Sequence, residues 1–440
     1  MISNAYGHKV ELVSRGEKRL TGGMEKETHT STTTGLPYSP GAVLSDTQDH
    51  LRKLAHAWRH IRRRREEGLA LYNLSGLERG LRTPETLDDW VLDDEWSGAL
   101  YSPRIRALGL DHLGGDPDSH DIVVTNRLTA ALYAAFQVTV EPGSTVIGVS
   151  PSYSHPAVVR GVRDAGGRLI ETVGVEEFER ELERRDDVTV VVVTRLAVTY
   201  DALSTTDLER IVQRAHEAGA VVVADDAGGA RVGPAILDQP RTLALGVDLG
   251  ATGLDKYGVC GPRVGLLGGR SDLVAAARAR AFELGSECRP VLYPAVEKCL
   301  SGYRPQRVRD LVDSTRVVGR RLLERLGDWV EETPFITRLP GDRILARMRD
   351  QNPDIQPDLA PIEATALVAM NMLADNGFLT VHFAGLPPGT DALLIKFLPP
   401  ETIAEIGGAD VFAEAVDTAV TRASRQAVSR EAVQEVLFGP

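Results

Sequence analysis

The sequence predicts an α/β protein whose large domain is a mostly parallel sheet covered by helices, with a smaller C-terminal α+β domain. Three observations carry this. Between residues 121 and 268, strand-like runs alternate with helical patterns, the order of a parallel sheet wound with crossover helices. Several of those runs, VTVVVV among them, are continuously apolar, as strands buried on both faces must be. Beyond residue 304 the order changes to one long amphipathic helix followed by mixed strand and helix.

In chain order, residues 1–46 are polar, with a Thr/Ser cluster at 28–34, and read as a mobile arm. Over 47–68, Leu51, Leu54, Ala55, Trp58 and Ile61 recur at helical spacing. This helix carries the basic run 62–65, which reads as a solvated face, with an anion or interface role as the alternative. The strand-like runs are 121–125, 145–149, 168–171, 188–194, 220–224 and 264–268, and the helical patterns between them are 129–138, 155–165, 175–185 and 206–218. Over about 304–329, Val308, Leu311, Val312, Val317, Val318, Leu322 and Leu323 form one apolar stripe. A strand pair, a helix at 362–376, a strand at 392–397 and a final helix from about 409 complete the chain. The division expected is an arm at 1–46, a large domain at 47–315 and a small domain at 316–440.

A chain of 440 residues with 42% hydrophobic and 25% charged residues is not disordered, collagen-like or a disulfide scaffold. Fifty basic against 62 acidic residues, a formal charge of −12, argue against a nucleic-acid partner. Cys260, Cys288 and Cys299 form no CxxC pair and no metal-ligand spacing, so no metal is expected and a reducing compartment is. No run of about 18 apolar residues suggests a membrane span, and the first 25 residues lack the apolar core of a secretory signal, so the expected location is cytoplasmic.

Three segments carry residues suited to one chemistry. The strand VVVADD ends at Asp225 and Asp226, at the carboxyl end of a buried parallel strand where open α/β sheets build their sites. A carboxylate there keeps a ring nitrogen protonated, or simply caps the turn. In TGLDKYGVCGPRVGLLGG, Lys256 follows Asp225 by 31 residues, in a glycine-rich turn before an apolar strand. A lysine partly removed from water is an amine nucleophile able to form a Schiff base; an ordinary surface turn is the alternative. In TNRLTAALYAAF, a strand end enters a helix through Thr125, Asn126, Arg127, Leu128 and Thr129. Such amides, hydroxyls and a guanidinium suit a phosphate, or Thr125 or Asn126 is a plain helix cap.

In that order, a phosphate cradle, a strand-end carboxylate and a lysine resemble the fold-type-I pyridoxal-phosphate enzymes of the aspartate aminotransferase superfamily, over roughly residues 75–440. ADDAGGA is similar to that superfamily's V-D-E-A-H-G-A segment. GLDKYGVCGPRVGLLGG is similar to the Schiff-base segment of the selenocysteine-synthase group, and its GPR to the serine hydroxymethyltransferases. The resemblance implies pyridoxal 5'-phosphate on Lys256, Asp225 opposite the pyridine nitrogen, and Thr125, Asn126, Arg127 and Thr129 at the phosphate. SHPAVVRG resembles the N-H-A-S-I-x-x-G stretch, which implies that His155 stacks on the ring. TRLAVTYDALSTTDLERI resembles the strand beneath the cofactor, with Thr199 or Tyr200 near its 3-hydroxyl.

The departures are Arg127 where many relatives have glycine, Gly228 in place of the histidine after the aspartate, and Gly253 where a phosphate-binding serine often stands. ALLIKFLPPETI is similar to the LVRLxIPR strand of the tryptophanase-like β-eliminating lyases, yet Ile395 occupies the place of the carboxylate-binding arginine. Lys396 is expected on the other face of that strand. The substrate-binding candidates are therefore Arg263, Arg289, His382, Tyr200 and Lys396, or a residue of a partner subunit. The activity implied is that of a lyase or transferase acting at Cα of an amino acid, by β- or γ-elimination or replacement. Carbon–sulfur or carbon–carbon chemistry in specialised biosynthesis fits, with S-adenosylmethionine among the candidate substrates and an aminotransferase as the alternative. A tRNA-dependent seleniumtransferase-like activity is disfavoured by the acidic charge. The resemblance also implies a homodimer with sites at the subunit interface, and no membrane partner.

Overall fold

The computed structural model describes residues 36–83 and 89–439. Its centre is a seven-stranded sheet of β1 (His120–Thr125), β2 (Thr145–Ser150), β3 (Arg168–Val173), β4 (Val188–Thr194), β5 (Val221–Asp225), β6 (Leu249–Gly253) and β7 (Gly265–Arg270). Their spatial order is β1-β7-β6-β5-β4-β2-β3, and β7 alone runs antiparallel to its two neighbours.

The continuous valines of β4 are explained by two covered faces. Val191 and Val193 pack with Val222 and Ala224 beneath α2 (Asp94–Leu113), α5 (Gly174–Glu183) and α6 (Thr205–Glu217). Val190 and Val192 pack on the other side against α3 (Leu128–Thr139), α4 (Pro156–Asp164) and α8 (Ser271–Glu283). All seven residues of β4 except Thr189 are buried. Strand β6, LGATG, escapes the sequence reading because it lacks a β-branched run. A Cβ on Gly250 would lie 2.4 Å from Thr242 Cγ2, so this strand is narrow where Thr242 crosses it.

Helices α7 (Gly229–Ile236) and α9 (Tyr293–Ser301) precede the C-terminal part, which holds α10 (Pro305–Leu326), α11 (Gly341–Gln351), α12 (Pro361–Asn371), α13 (Pro400–Glu405), α14 (Ala409–Gln426) and α15 (Arg430–Phe438). Its three-stranded antiparallel sheet has β9 (Ile336–Leu339) between β8 (Glu331–Glu332) and β10 (Leu393–Lys396). Residue 315 falls inside α10. That helix gives Val308, Leu311 and Val312 to the cluster beside the site, and Val318 and Leu322 to the C-terminal core.

The N-terminal segments differ from expectation in two ways. Residues 1–35 of the expected arm lie outside the described residues, but its remainder is fastened: Leu36, Tyr38, Val43 and Leu44 are buried. The Glu363 carboxylate accepts the Val43 and Leu44 amides, at 2.5 and 2.9 Å. Helix α1 (Thr47–Glu66), assigned by sequence to the large domain, packs instead with the C-terminal core through Leu54, Ala57 and Ile61. Leu51 and Trp58 of its apolar stripe face outward. Within the basic run, Arg64 is buried and donates to the carbonyls of Ala374 and Asp375, because that turn ends in unsatisfied carbonyls. Among the described residues, no helix is long and apolar enough to cross a membrane.

Candidate functional site

Parallel strands that end side by side leave a crevice at their carboxyl edge, and here it is a cavity of about 230 Å³. Strand alternation sends the two adjacent carboxylates apart. Asp225 lines the cavity, buried, with Oδ1 lacking any hydrogen-bond partner. Burial, and next the charge of Asp226, push its carboxyl up to about 7, while Lys256 pulls it back. Asp226 turns inward, accepting from Arg195 Nη2 at 2.6 Å and Thr242 Oγ1 at 2.7 Å.

Lys256 follows β6 in the glycine-rich turn and lines the same cavity. Burial lowers its pKa, opposed by Asp255, whose Oδ1 lies 3.8 Å from Nζ. Asp255 also accepts from Arg79 Nε at 2.8 Å. Helix α3 begins at the cavity wall. Its N-cap, Arg127, is extended and offers no side-chain cap, so the first-turn amides beside Arg127, Leu128 and Thr129 remain for a ligand. His155 caps α4, with Nδ1 accepting from the Ala157 amide at 3.0 Å. Burial, then Lys256, Arg160 and Lys396, push its pKa down to about 4, so it presents a neutral ring to the cavity.

The opposite wall comes from the C-terminal part. Arg263 Nη2 and Arg79 Nη2 donate to one carbonyl, Ala384, at 3.1 and 3.2 Å. Burial, then Arg79 and Arg127, push the Arg263 guanidinium down to about 10. His382 is buried within this wall, its Nε2 3.3 Å from the Ala392 carbonyl. Lys396 lies on the face opposite Ile395, as strand alternation requires, but that face and not the one carrying Ile395 looks into the cavity. Ile395 enters the C-terminal core, and pairing with β9 sets it against Thr337 and Lys396 against Ile336. Its Nζ donates to the hydroxyls of Tyr200 at 2.6 Å and Tyr257 at 3.2 Å.

Of the residues named from sequence, the structure thus brings Arg127, Thr129, His155, Tyr200, Asp225, Lys256, Arg263, His382 and Lys396 to one cavity. Four do not line it. The Thr125 hydroxyl bonds to the Arg127 carbonyl at 3.0 Å, and Asn126 is exposed, its amide donating to Ser286. Thr199 Oγ1 sits 2.9 Å from Ser152 Oγ, and Arg289 is on the surface, paired with Asp94 at 2.7 Å. Sequence reasoning missed Arg79, Asp255 and Tyr257. The last two flank Lys256 and were within view; Arg79, in SGLERG, carries no local signal. Gly228 also becomes intelligible, since a Cβ there would lie 2.7 Å from Tyr257 Cε2.

No protein-family model matches the chain. It is 30% identical over 358 residues to a UPF0425 pyridoxal phosphate-dependent protein of Methanothermobacter thermautotrophicus, covering 80% of this chain and 88% of that one. A protein of the same description from Methanosphaera stadtmanae is 27% identical over 342 residues, covering 74% and 85%. Among solved structures, alanine–glyoxylate aminotransferase from Nostoc sp. has a TM-score of 0.53 at 17% identity, covering 80% of this chain and 95% of that one. Ureidoglycine–glyoxylate aminotransferase from Bacillus subtilis has a TM-score of 0.55 at 12% identity, covering 84% and 97%. These two likenesses are of fold.

Proposed function

The chain belongs to the UPF0425 family of pyridoxal phosphate-dependent proteins and has the fold-type-I architecture, and from that premise we propose that it eliminates or replaces a group on the β or γ carbon of an amino acid. It is a pyridoxal phosphate-dependent enzyme of the aminotransferase-fold superfamily; the reaction, a homodimeric assembly and a cytoplasmic location are parts of the proposal. One observation carries the reading of the site. An unpartnered buried oxygen of Asp225, the uncapped start of α3 and the amine of Lys256 all border one cavity.

Those three features fit the cofactor. A pyridinium N–H needs a buried acceptor, a phosphate needs amides and cations, and an aldehyde needs an amine that is not fully protonated. When bound, pyridoxal 5'-phosphate supplies an electron sink for the pair released at Cα. Lys256, its pKa lowered by burial, takes and returns the Cα proton. Asp225 stays ionised once a cation faces it, since an opposite charge restores a carboxylate that burial alone keeps protonated. Arg127 and the first turn of α3 would hold the phosphate, and His155 would offer its neutral ring to the cofactor. Arg79 and Arg263, fixed side by side on the Ala384 carbonyl, are the groups suited to a substrate carboxylate in the absence of an arginine at position 395.

The elimination reading rests on the lyase-like strand β10 and the lysine segment similar to the selenocysteine-synthase group. The test is the visible spectrum of the purified protein with added cofactor, then product analysis with β-chloro-L-alanine. A band absent in Lys256→Ala, with release of pyruvate and ammonia by the unaltered chain, is the expected result. A cofactor that turns into its amine form without pyruvate release identifies the aminotransferase alternative. No band at all overturns the site.

A further inference from the structure

The cavity holds a second amine that the reading above does not use. Lys396 is 6% exposed, and both groups that its Nζ bonds to are phenol hydroxyls, which also bond to each other. Among the described residues it makes no ion pair. The charged or titratable groups around it are Lys256, Arg79, His155 and Asp255, and Asp255 is already engaged by Arg79 and Lys256. A buried lysine with a structural role is normally matched by a carboxylate. This one is matched by two hydroxyls and opens onto the cavity beside Lys256.

Its surroundings are also strained. Tyr200, Tyr257 and the neighbouring Phe397 all have positive φ, 67°, 53° and 46°, a backbone region costly for aromatic residues. The Tyr257 and Phe397 ring centroids lie 4.1 Å apart and those of Tyr200 and Phe397 6.0 Å. Strain of this kind persists where surrounding structure over-determines it, and it concentrates at functional sites.

We propose that Lys396, positioned by Tyr200 and Tyr257, is a second acid–base group of the site, protonating the departing atom of substrates whose leaving group is a poor anion, such as an alkyl thiolate. This rests on the elimination reading. In the step, Lys256 takes the Cα proton and the bond from Cβ to the leaving atom breaks, its electron pair staying on that atom. The Lys396 ammonium gives its proton to that pair, so a neutral thiol departs. One proton is taken and one given, with no oxidant or reductant, and the two lysines regain their starting states by exchange with water. Burial, then repulsion by Lys256 and Arg79 against the attraction of Asp255, push Lys396 down to about 7. An acid with that value both gives and regains its proton near neutrality.

The test compares S-methyl-L-cysteine, whose thiolate needs a proton, with β-chloro-L-alanine, whose chloride does not. In Lys396→Met loaded with cofactor, the ratio of kcat/KM for the thioether over the chloride is expected to fall about 10²–10⁴-fold, with the visible band unchanged. Tyr257→Phe lowers the same ratio less. A readout independent of turnover is competitive acetic-anhydride labelling of the cofactor-free protein across pH, read by mass spectrometry, with Lys396 half-reactive near pH 7. Equal loss on both substrates, or a Lys396 that titrates like a surface lysine, overturns the proposal and leaves the elimination reading standing. If the unaltered chain keeps its band but releases pyruvate from neither substrate, the elimination reading fails and takes this proposal with it.

Discussion

Replacing Lys53 with methionine tests the packing behind the cavity. Lys53 lies on α1, fully buried, its Nζ without a hydrogen-bond partner and 5.7 Å from the centroid of the Phe383 ring. Burial pushes its ammonium down to about 7 from 10.5. His50, one turn earlier, is pushed down to about 3 by burial and then by Lys53, so it supplies no counter-charge. Between pH 7 and 10.5 the native chain binds fewer protons here than the unfolded one. Stability therefore climbs with pH across that window, and the penalty is largest at pH 7 and below. The fall from 10.5 to about 7, at about 1.36 kcal/mol per pH unit, amounts to about 4 kcal/mol at pH 7. Local relaxation and water entry bring the expected figure to about 2–4 kcal/mol. Methionine keeps an unbranched chain without the charge. Urea unfolding followed by tryptophan fluorescence should show Lys53→Met more stable by that amount at pH 7, with the gain largely gone by pH 10.5. A variant no more stable at pH 7, or one with the same gain at both pH values, refutes the reasoning.

Three further outcomes are expected. Asp226→Ala leaves the Arg195 guanidinium buried and uncompensated, and should cost about 3–5 kcal/mol, seen as a lower melting temperature. Asp225→Asn should cut cofactor-dependent turnover at least about 10²-fold without unfolding the protein. Because burial raises the Asp225 carboxyl in the cofactor-free protein, stability falls as pH climbs from about 4 to about 7. The asparagine variant should lose that slope in urea titrations at several pH values. Gly228→Ala drives a methyl group against the Tyr257 ring and should cost about 1–3 kcal/mol, with a larger loss for S-methyl-L-cysteine than for β-chloro-L-alanine.

The helix start proposed for a phosphate, the strand-end carboxylate and the lysine were legible because each is local. Asp225 closes an apolar run, Lys256 sits among glycines, and Arg127 stands where a strand becomes a helix. Their order along the chain was enough to suggest a family. Arg79 was not legible, because nothing around SGLERG distinguishes a surface arginine from one that reaches Asp255, 176 residues away. Arg64 belongs to a run that reads as a solvated face, and nothing local marks Lys53, yet both are buried, because α1 turns that face toward the C-terminal core.

Residue type and short-range period thus determined, from the sequence alone, where six of the seven strands of the central sheet run, which residues suit the chemistry, and the fold class. Only the tertiary structure decided which side chains meet. Alternation along β5 separated Asp225 from Asp226 once the neighbouring strands had fixed its faces. The register of β10 on β9 put Ile395 into the core and Lys396 into the cavity, against two tyrosines from distant loops. The physical reason is that a period specifies which residues share a face, whereas strand pairing and the burial of competing apolar groups select the face that looks into the site.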